Sequence, residues 1–438
     1  MQISLTGKNN PVKKCFTFPV SDFYVFKIKM LNWANRFSIF CFLDNLQYEF
    51  STPAFECLLA AGCKRRLEAD SGNSFEKLQA FYKEEQREWL FGHFGYDLKN
   101  ETESLHSEHQ DHIGFSDLHF FIPEFVVQLD SNEVKIYGDG NPELIYRQIS
   151  TCSSEITGTS RGNISIKHRI DRKDYVDTIQ KLQQHILRGD CYEINFCQEF
   201  FAENAEINPL YIYKRLTQLS PNPFSVLYKI NTRYCLCASP ERYLKKSGNR
   251  VFSQPIKGTS KRTPEDKITD EAARNYLLQS DKEKSENVMV VDLVRNDLSK
   301  ICKPSSVHVD ELFGLYSFPQ VHQMISTVSG ELEQSLNWID CVKATFPMGS
   351  MTGAPKKRVM ELIEQYEQTR RGLFSGAIGY VSPGGDFDFN VVIRSMFYNA
   401  GEKYLSFQTG SGITYYSDPE SEYEECLLKA GAMIQVLQ

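Results

Sequence analysis

The chain has 438 residues, of which 41% are hydrophobic and 24% charged, and its formal net charge is −7. This length exceeds a single small core and indicates two or three structural units. The negative charge gives no bulk support for a nucleic-acid-binding face, and no stretch reaches the roughly 18 apolar residues of a membrane-spanning helix. Because the first residues also lack the pattern of an export leader, we expect a cytoplasmic protein with neither a nucleic-acid nor a membrane partner.

Twelve cysteines are scattered from Cys15 to Cys426. They show neither the C-x-x-C spacing nor the Cys/His clustering of a zinc site. In a long chain without an export signal, free and mostly buried thiols are the expected state.

The N-terminal region mixes predicted strands and helices. Three segments have the composition of regular elements: a β-rich run at Phe37–Leu43, a helix at Ser74–Trp89 and two strands within Phe120–Tyr137 that turn at Asp130. The run Ser150–Gly162 is polar and has no periodic apolar residues, which predicts a linker or surface loop. We therefore divide the chain into an N-terminal region, residues 1–150, and a second region, residues 165–438.

The second region opens with a strong helix signal. Asp171 is placed to cap a helix whose apolar residues recur at helical spacing, and Gly189 ends it. The following run, Cys191–Phe196, alternates as a strand does, so that Glu193 and Asn195 share one face. Further strand-rich sequence from Phe224 to Lys257 indicates an α+β fold with antiparallel sheets, because a repeating strand–helix–strand pattern is missing.

Lys257 is a candidate catalytic residue. It lies between Ile256 and Gly258 in the run QPIKGT, which offers little reason for a solvated surface charge. A lysine kept partly dry loses proton affinity and becomes a nucleophile near neutral pH. The alternative is a lysine at the end of a strand whose amine reaches water.

Four glutamates form two pairs with the same spacing. Glu283 and Glu286 are three residues apart, as are Glu422 and Glu425 at the start of the C-terminal helix. On a helix, this spacing places both carboxylates on one face. Each pair alone is typical of a solvated helix surface, but two pairs converging on one site would require a hard divalent cation, and Mg²⁺ fits.

Three segments are candidates for binding anions. The run Gly349–Arg358 is a loop of small residues, including Ser350 and Thr352, that leads into a helix, where free backbone N–H groups attract carboxylates or phosphates. Gly412 lets the backbone approach a ligand closely. Arg394 is a guanidinium in an apolar strand, so it pairs either with a planar anionic ligand or with a structural carboxylate.

Two further features of the sequence bear on chemistry. The glycine-containing loop lacks the GxxxxGK[ST] spacing of a P-loop, so we expect no nucleotide site there. His322, within the run VHQM, is a candidate general acid or base, although a histidine in an apolar run is more often a core residue.

Several short runs appear in a fixed order in the second region. They are Gly189–Asn195, Ser239–Tyr243, Glu286–Asp297, Phe346–Lys356, Ser375–Tyr380 and Gly410–Glu422. In their residues and their order, these runs resemble the family of chorismate-utilising enzymes. The N-terminal region resembles the family only loosely, through Phe91–Asp97. The resemblance implies a two-sheet α/β complex sandwich with the active site between the sheets.

Two residues distinguish branches of this family. With lysine at position 257, the chain resembles the aminodeoxychorismate synthases that form a covalent intermediate. Anthranilate synthases typically carry alanine at this position. Glu193 stands where salicylate and isochorismate synthases have a lysine that activates water, so the resemblance disfavours water addition. It implies amination of chorismate to 4-amino-4-deoxychorismate, for p-aminobenzoate and folate synthesis, through a covalent bond to Lys257. Anthranilate synthesis and an inactive chorismate-binding regulatory protein remain the alternatives.

The resemblance also implies roles for the other candidates. Glu241 would be the general acid beside Lys257, with His322 as a further catalytic candidate. Mg²⁺ would be the cofactor. Its implied ligands are Glu286 and Glu425, with Glu283 and Glu422 in support. The implied contacts of chorismate are Arg394, Tyr380, Thr352, Ser350, Glu193 and the Gly412 backbone. The chain has no glutaminase-type Gly-x-Cys-x-Gly run, so a separate glutamine amidotransferase subunit would supply ammonia.

Overall fold

The structure of the chain is a computed structural model that describes residues 15–48, 55–85, 87–158, 164–318 and 321–438. Within these ranges, the strands are, in chain order, β1 (Cys15–Pro19), β2 (Ile39–Asp44), β3 (Cys57–Ala61), β4 (Arg65–Ala69), β5 (Leu90–Phe94), β6 (Leu118–Ile122), β7 (Phe125–Leu129), β8 (Glu133–Gly138), β9 (Lys167–His168), β10 (Glu193–Ala202), β11 (Phe224–Ile230), β12 (Arg233–Ser239), β13 (Arg242–Ser247), β14 (Arg250–Gln254), β15 (Ile256–Lys261), β16 (His308–Ser317), β17 (Val321–Glu331), β18 (Gly353–Ala354), β19 (Ala377–Val381), β20 (Phe387–Asn390), β21 (Ser395–Asn399) and β22 (Tyr404–Ile413). The α-helices are α1 (Phe23–Ala34), α2 (Ser74–Glu84), α3 (Lys99–Thr102), α4 (Pro142–Ser150), α5 (Arg172–Leu187), α6 (Pro209–Leu219), α7 (Lys267–Gln279), α8 (Asp281–Ser299), α9 (Trp338–Thr345), α10 (Lys356–Tyr366) and α11 (Pro419–Leu437).

The strands form two antiparallel sheets. The first has the order β1-β8-β7-β3-β2-β11-β12-β21-β22-β10-β18, with β9 paired to β10. The second has the order β15-β17-β14-β13-β20-β19-β5-β6-β4, with β16 paired to β17. The predicted α+β class with two antiparallel sheets is confirmed.

Strands from both sides of residue 150 share each sheet. In the first sheet, β2 pairs with β11, and in the second, β5 pairs with β19. Residues 1–150 and 165–438 are therefore regions of one sandwich and not separately folded units, because neither could complete a sheet alone. Residues 159–162 of the predicted linker lie outside the described ranges.

Two hydrophobic cores hold these layers together. One contains buried side chains from both sheets together with α2, α8 and α9. The other packs α1, α4, α5, α6, α10 and α11 on the first sheet. Strand β10 contributes to both, because Ile194 and Phe196 belong to the second core while Cys197 and Phe201 belong to the first. Glu193 and Asn195 therefore share the face of β10 that turns toward the second sheet.

Local signals from the sequence agree with the structure in most places. The Asp171 carboxylate accepts a hydrogen bond from the Asp174 amide at 2.8 Å and caps α5, as predicted. The turn at Asp130 joins β7 and β8. The helix predicted over Ser74–Trp89 is wrong at its end, since α2 stops at Glu84 and buried Trp89 leads into β5.

None of the helices in the described ranges is both long enough and apolar enough to cross a membrane.

Candidate active site

At the candidate site, Lys257 of the second sheet forms an ion pair with Glu193 of the first sheet. Lys257 lies in a β-bulge of β15, where the register against β17 shifts between Ile256 and Thr259. Such a bulge re-aims a side chain relative to a regular strand. The Lys257 Nζ donates to Glu193 Oε1 at 2.5 Å, with 12% and 3% of the two side chains exposed. The lysine side chain is therefore largely shielded from bulk water and lies between the sheets.

Gly412 provides the space for this ion pair. Strand β22 places Gly412 opposite Asn195 of β10. A Cβ atom at position 412 would lie 2.6 Å from Glu193 Oε1 and 2.6 Å from Lys257 Nζ. Any side chain here would displace the pair, so the glycine is required by the ion pair, and the predicted contact of its backbone with chorismate stays a prediction.

The charge state of Lys257 differs from the sequence-based expectation. Burial acts to lower the pKa of the amine, as expected, but the negative charges of Glu193, Glu286 and Glu425 outweigh it and the pKa is raised. The lysine is therefore a protonated ammonium in this environment. Its conversion to a nucleophile requires a group that accepts its proton.

Glu241 lies between β12 and β13 and is 4% exposed. Burial raises the pKa of this carboxyl group to about 7, against the lowering influence of the Ser350 hydroxyl, the Lys257 ammonium and the Ile256 backbone amide. A carboxyl group with this pKa holds a proton for part of the time at neutral pH, as a general acid must. The structure thus brings Glu241, Ser350 and Lys257 together.

The two glutamate pairs lie on different helices, α8 and α11, near the N-terminal end of each. Glu283 and Glu286 are on α8, which packs on β15 and β17, and Glu422 is on α11, which packs on β22. The Lys282 Nζ lies 3.9 Å from Glu286 Oε1 and 3.8 Å from Glu422 Oε1, and thereby links the helices. The predicted convergence of the pairs is present.

The pKa values of these glutamates reflect their burial and the charges of their neighbours. Burial raises the pKa of Glu286 to about 7, and the charges of Glu193 and Glu283 add to that effect. Burial and the charge of Glu425 also raise the pKa of Glu283. Glu425 differs, because the Lys429 ammonium overcomes burial and lowers its pKa.

The residues present suit a partly hydrated magnesium ion. Glu286 Oε1 and Glu422 Oε2 are buried without a hydrogen-bond partner. Within the described ranges, no group of three or more His, Cys, Asp or Glu side chains is already assembled as a metal-binding shell. Mg²⁺ commonly uses one or two carboxylates and takes its other ligands from water and substrate, so an incomplete set of carboxylates facing one another fits this ion.

Arg394 is a partly buried cation whose guanidinium has no ion-pair partner among the described residues. It follows β20 with a φ of 52°, a left-handed conformation that is uncommon for a residue other than glycine. Among the residues that the structure describes, none forms a hydrogen bond or ion pair with its guanidinium. Burial lowers the pKa of Arg394, against the raising influence of Glu425. An unpaired guanidinium here favours an anionic ligand over a structural ion pair.

His322 lies outside the site, in contrast to its predicted role. Its Nδ1 contacts the Ser317 hydroxyl at 2.8 Å and its Nε2 lies 3.3 Å from Asp270 Oδ1 on the helix-covered face of β17. The strand alternates, so the next residue, Gln323, points to the opposite face, between the sheets. Gln323 is 3% exposed and its Oε1 has no hydrogen-bond partner. Sequence reasoning missed this residue, and the polar QVHQ run gives no sign of which face is inside.

Tyr380 and Thr352 also differ from their predicted roles. Tyr380 lines a different cavity with Asp44, Arg242 and Asp388, and its ring packs on Phe55, Trp89 and Phe91. The Thr352 hydroxyl donates to the Met348 carbonyl within its own loop. Thr352 therefore fixes the loop that carries Ser350, since its only hydroxyl proton is already used.

The chain matches the family described as chorismate binding enzyme over residues 40–435. It is 34% identical to a protein named probable aminodeoxychorismate synthase, chloroplastic, from Oryza sativa subsp. japonica, over 79% of this chain and 43% of that protein. Aminodeoxychorismate synthase component 1 from Klebsiella aerogenes is 32% identical, over 79% of this chain and 76% of that one. The chain therefore spans less than half of the plant relative but most of the bacterial one.

Anthranilate synthases are also similar. Anthranilate synthase component 1 from Acetivibrio thermocellus is 32% identical, over 79% of this chain and 74% of that protein. The crystal structure of anthranilate synthase component I from Streptococcus pneumoniae TIGR4 aligns with a TM-score of 0.77 and 26% identity, over 88% of this chain and 94% of that one. The family match covers most of the chain and agrees with its two-sheet fold. The chain therefore belongs to the family of chorismate binding enzymes.

Proposed function

We propose that the chain aminates chorismate to 4-amino-4-deoxychorismate, as an aminodeoxychorismate synthase component 1. The observation that carries this proposal is the amine of Lys257, buried between the sheets beside Glu241 and facing the glutamates of α8 and α11. A nucleophilic amine in this position allows one difficult displacement to proceed as two easier ones. Similarity to relatives with this name supports the same reaction.

Each residue of the site has a proposed role in this reaction. Lys257 bonds to ring carbon 2, and Glu241 protonates the hydroxyl that leaves carbon 4. Arg394 binds the enolpyruvyl carboxylate of chorismate. Glu286 and Glu425, supported by Glu283 and Glu422, would hold Mg²⁺, whose charge would stabilise the ring carboxylate when it is bound. Ammonia then adds at carbon 4 and releases Lys257.

Ammonia would come from a separate glutamine amidotransferase subunit, with ammonium salts as a substitute in vitro. The enolpyruvyl group stays on the product, so a separate lyase must release p-aminobenzoate. The second candidate function is anthranilate synthesis, which the similarity to anthranilate synthases favours.

A direct assay separates the two functions. The chain is incubated with chorismate, Mg²⁺ and ammonium, and the products are separated by chromatography. We expect 4-amino-4-deoxychorismate, which an added lyase converts to p-aminobenzoate. Direct appearance of fluorescent anthranilate would show the second function instead, and a product formed without ammonium would indicate water addition.

The variant Lys257→Ala tests the role of the amine. We expect it to lose amination by at least about a hundredfold, because the covalent route is closed. Lys261→Ala is the matched control, since Lys261 is an exposed lysine on the same strand and should leave the rate unchanged. Equal rates in both variants would contradict the assignment.

A further inference from the structure

Glu193 is the hydrogen-bonding partner of Lys257, but only one of its two carboxylate oxygens is hydrogen-bonded. Its Oε1 accepts from the Lys257 amine at 2.5 Å, whereas its Oε2 is buried without any hydrogen-bond partner. A buried structural carboxylate normally has both oxygens satisfied. The free oxygen leaves this carboxylate with an acceptor site that can take a proton.

The other carboxylates near Lys257 have different roles in the proposed reaction. Glu241, between β12 and β13, must hold a proton for the leaving hydroxyl. Glu286 on α8 and Glu425 on α11 would hold Mg²⁺, so their lone pairs are engaged. Among the described residues, Glu193 on β10 is the one that hydrogen-bonds directly to the amine.

We propose that Glu193 is the proton acceptor and donor of Lys257 in both halves of the reaction. This inference rests on the proposed function, because it requires that the amine bonds to the substrate ring. It assigns Glu193 a catalytic role in place of the substrate contact expected from the sequence.

The first half of the reaction balances as follows. The Lys257 ammonium gives one proton to Glu193, and its lone pair forms the bond to ring carbon 2. The two ring double bonds shift, the bond between carbon 4 and its oxygen breaks, and Glu241 gives its proton to the leaving hydroxyl, which departs as water. Glu193 is then protonated, Glu241 is ionised, and the lysine nitrogen is a secondary ammonium bonded to the ring.

The second half restores every group. Ammonia bonds to carbon 4, the double bonds shift back, and the bond from carbon 2 to the lysine nitrogen breaks. Lys257 recovers its proton from Glu193, while the new ammonium on carbon 4 gives a proton to Glu241. Chorismate and ammonia have become 4-amino-4-deoxychorismate and water, with no redox change.

Two variants separate proton transfer from positioning. Glu193→Gln keeps the size and the hydrogen-bond acceptor that hold the amine, but it does not take a proton. Glu193→Asp keeps the proton acceptor on a shorter side chain. Glu203→Gln is the control, since Glu203 is an exposed carboxylate just beyond the end of β10. Urea unfolding of each variant establishes that it is folded.

The readout is covalent labelling of Lys257, followed by intact-protein mass spectrometry with chorismate and Mg²⁺ but without ammonium, from pH 6 to 9. We expect Glu193→Gln to label about 10²-fold more slowly than the wild type at pH 7, the usual size of a general-base effect. Its rate should rise with pH as solvent takes over the proton, whereas Glu193→Asp should keep most of the neutral rate.

The possible outcomes test the role of Glu193 and the proposed function separately. Labelling of Glu193→Gln at the wild-type rate and pH profile would overturn the inference while leaving the proposed function intact. Wild-type amination without any adduct on Lys257 would overturn it as well. Absence of both adduct and aminated product from the wild type would instead reject the proposed function. If Glu193→Gln does not fold, loss of neutral labelling in Glu193→Asp overturns the inference.

Discussion

At the scale of single residues, the site carries more negative charge than positive charge. The Lys257 ammonium lies near the carboxylates of Glu193, Glu286 and Glu425, and the Arg394 guanidinium is influenced by Glu425 alone. Chorismate would add two more carboxylates, and like charges at short distances in a buried site repel strongly. A divalent cation would offset this excess, and we therefore propose that Mg²⁺ would serve the binding of chorismate as well as the chemistry.

Glu241 leads to a prediction about pH. The pKa of this carboxyl group is raised to about 7 by burial, so the acid form that protonates the leaving hydroxyl is present below about pH 7 and is lost above it. We expect amination of chorismate at saturating ammonia to slow as the pH rises through about 7. Glu241→Gln should lower the rate by about 10²-fold to 10⁴-fold and remove this limb of the pH profile.

Initial rates from pH 5.5 to 9 test this expectation, with Glu203→Gln as a carboxylate control outside the site. Persistence of the alkaline limb in Glu241→Gln would assign it to another group.

At the scale of elements, α8 connects the glutamates to the strand that carries Lys257. Asn287 is 1% exposed on this helix, and its Nδ2 contacts the carbonyls of Lys257 and Met324 at 3.5 Å. Its Oδ1 accepts from the Ser326 hydroxyl at 2.6 Å. One side chain thus fixes α8 against both β15 and β17, and it sits one residue after Glu286.

Replacement of Asn287 by Ala tests this connection. Buried carbonyl and hydroxyl groups would lose their partners, so we expect a loss of about 1–3 kcal/mol in the free energy of unfolding. A displaced α8 should also raise the Mg²⁺ concentration needed for half-maximal activity. Urea unfolding and Mg²⁺ titration measure the two effects.

Asn296→Ala is the matched control for this experiment, since Asn296 is exposed on the same helix. A similar small change in both variants would show that α8 is held by its apolar face alone.

The sequence predicted those parts of the molecule that depend on neighbours along the chain. The capped helix α5, the hairpin at Asp130 and the burial of Lys257 all follow from local patterns. The charge state of Lys257 does not, because the carboxylates that set it come from three elements far apart in the sequence. The role predicted for His322 is wrong because adjacent strand residues face opposite sides, and only packing decides which side is inside.

At the scale of the whole molecule, a buried polar cluster joins the two sheets. The Tyr228 hydroxyl on β11 of the first sheet lies 3.2 Å from His93 Nδ1 and 2.8 Å from His119 Nδ1, both in the second sheet. All three side chains are fully buried. Burial lowers the pKa of His93 to about 4, and that of His119 well below its usual range.

This cluster predicts acid sensitivity of the fold. Both histidines are neutral in the folded chain but take up protons in the unfolded chain below about pH 6.5, so the unfolded state binds more protons. The stability they contribute is complete above pH 6.5 and is lost as the pH falls toward 4, with His93 accounting for roughly 3 kcal/mol. Urea unfolding of the wild type and His93→Phe between pH 4 and 8 measures this loss. His93→Phe should lose less stability than the wild type on acidification, whereas His106→Asn, which changes an exposed histidine, should follow the wild type. A parallel decline of the wild type and His93→Phe would show that His93 takes up its proton without unfolding.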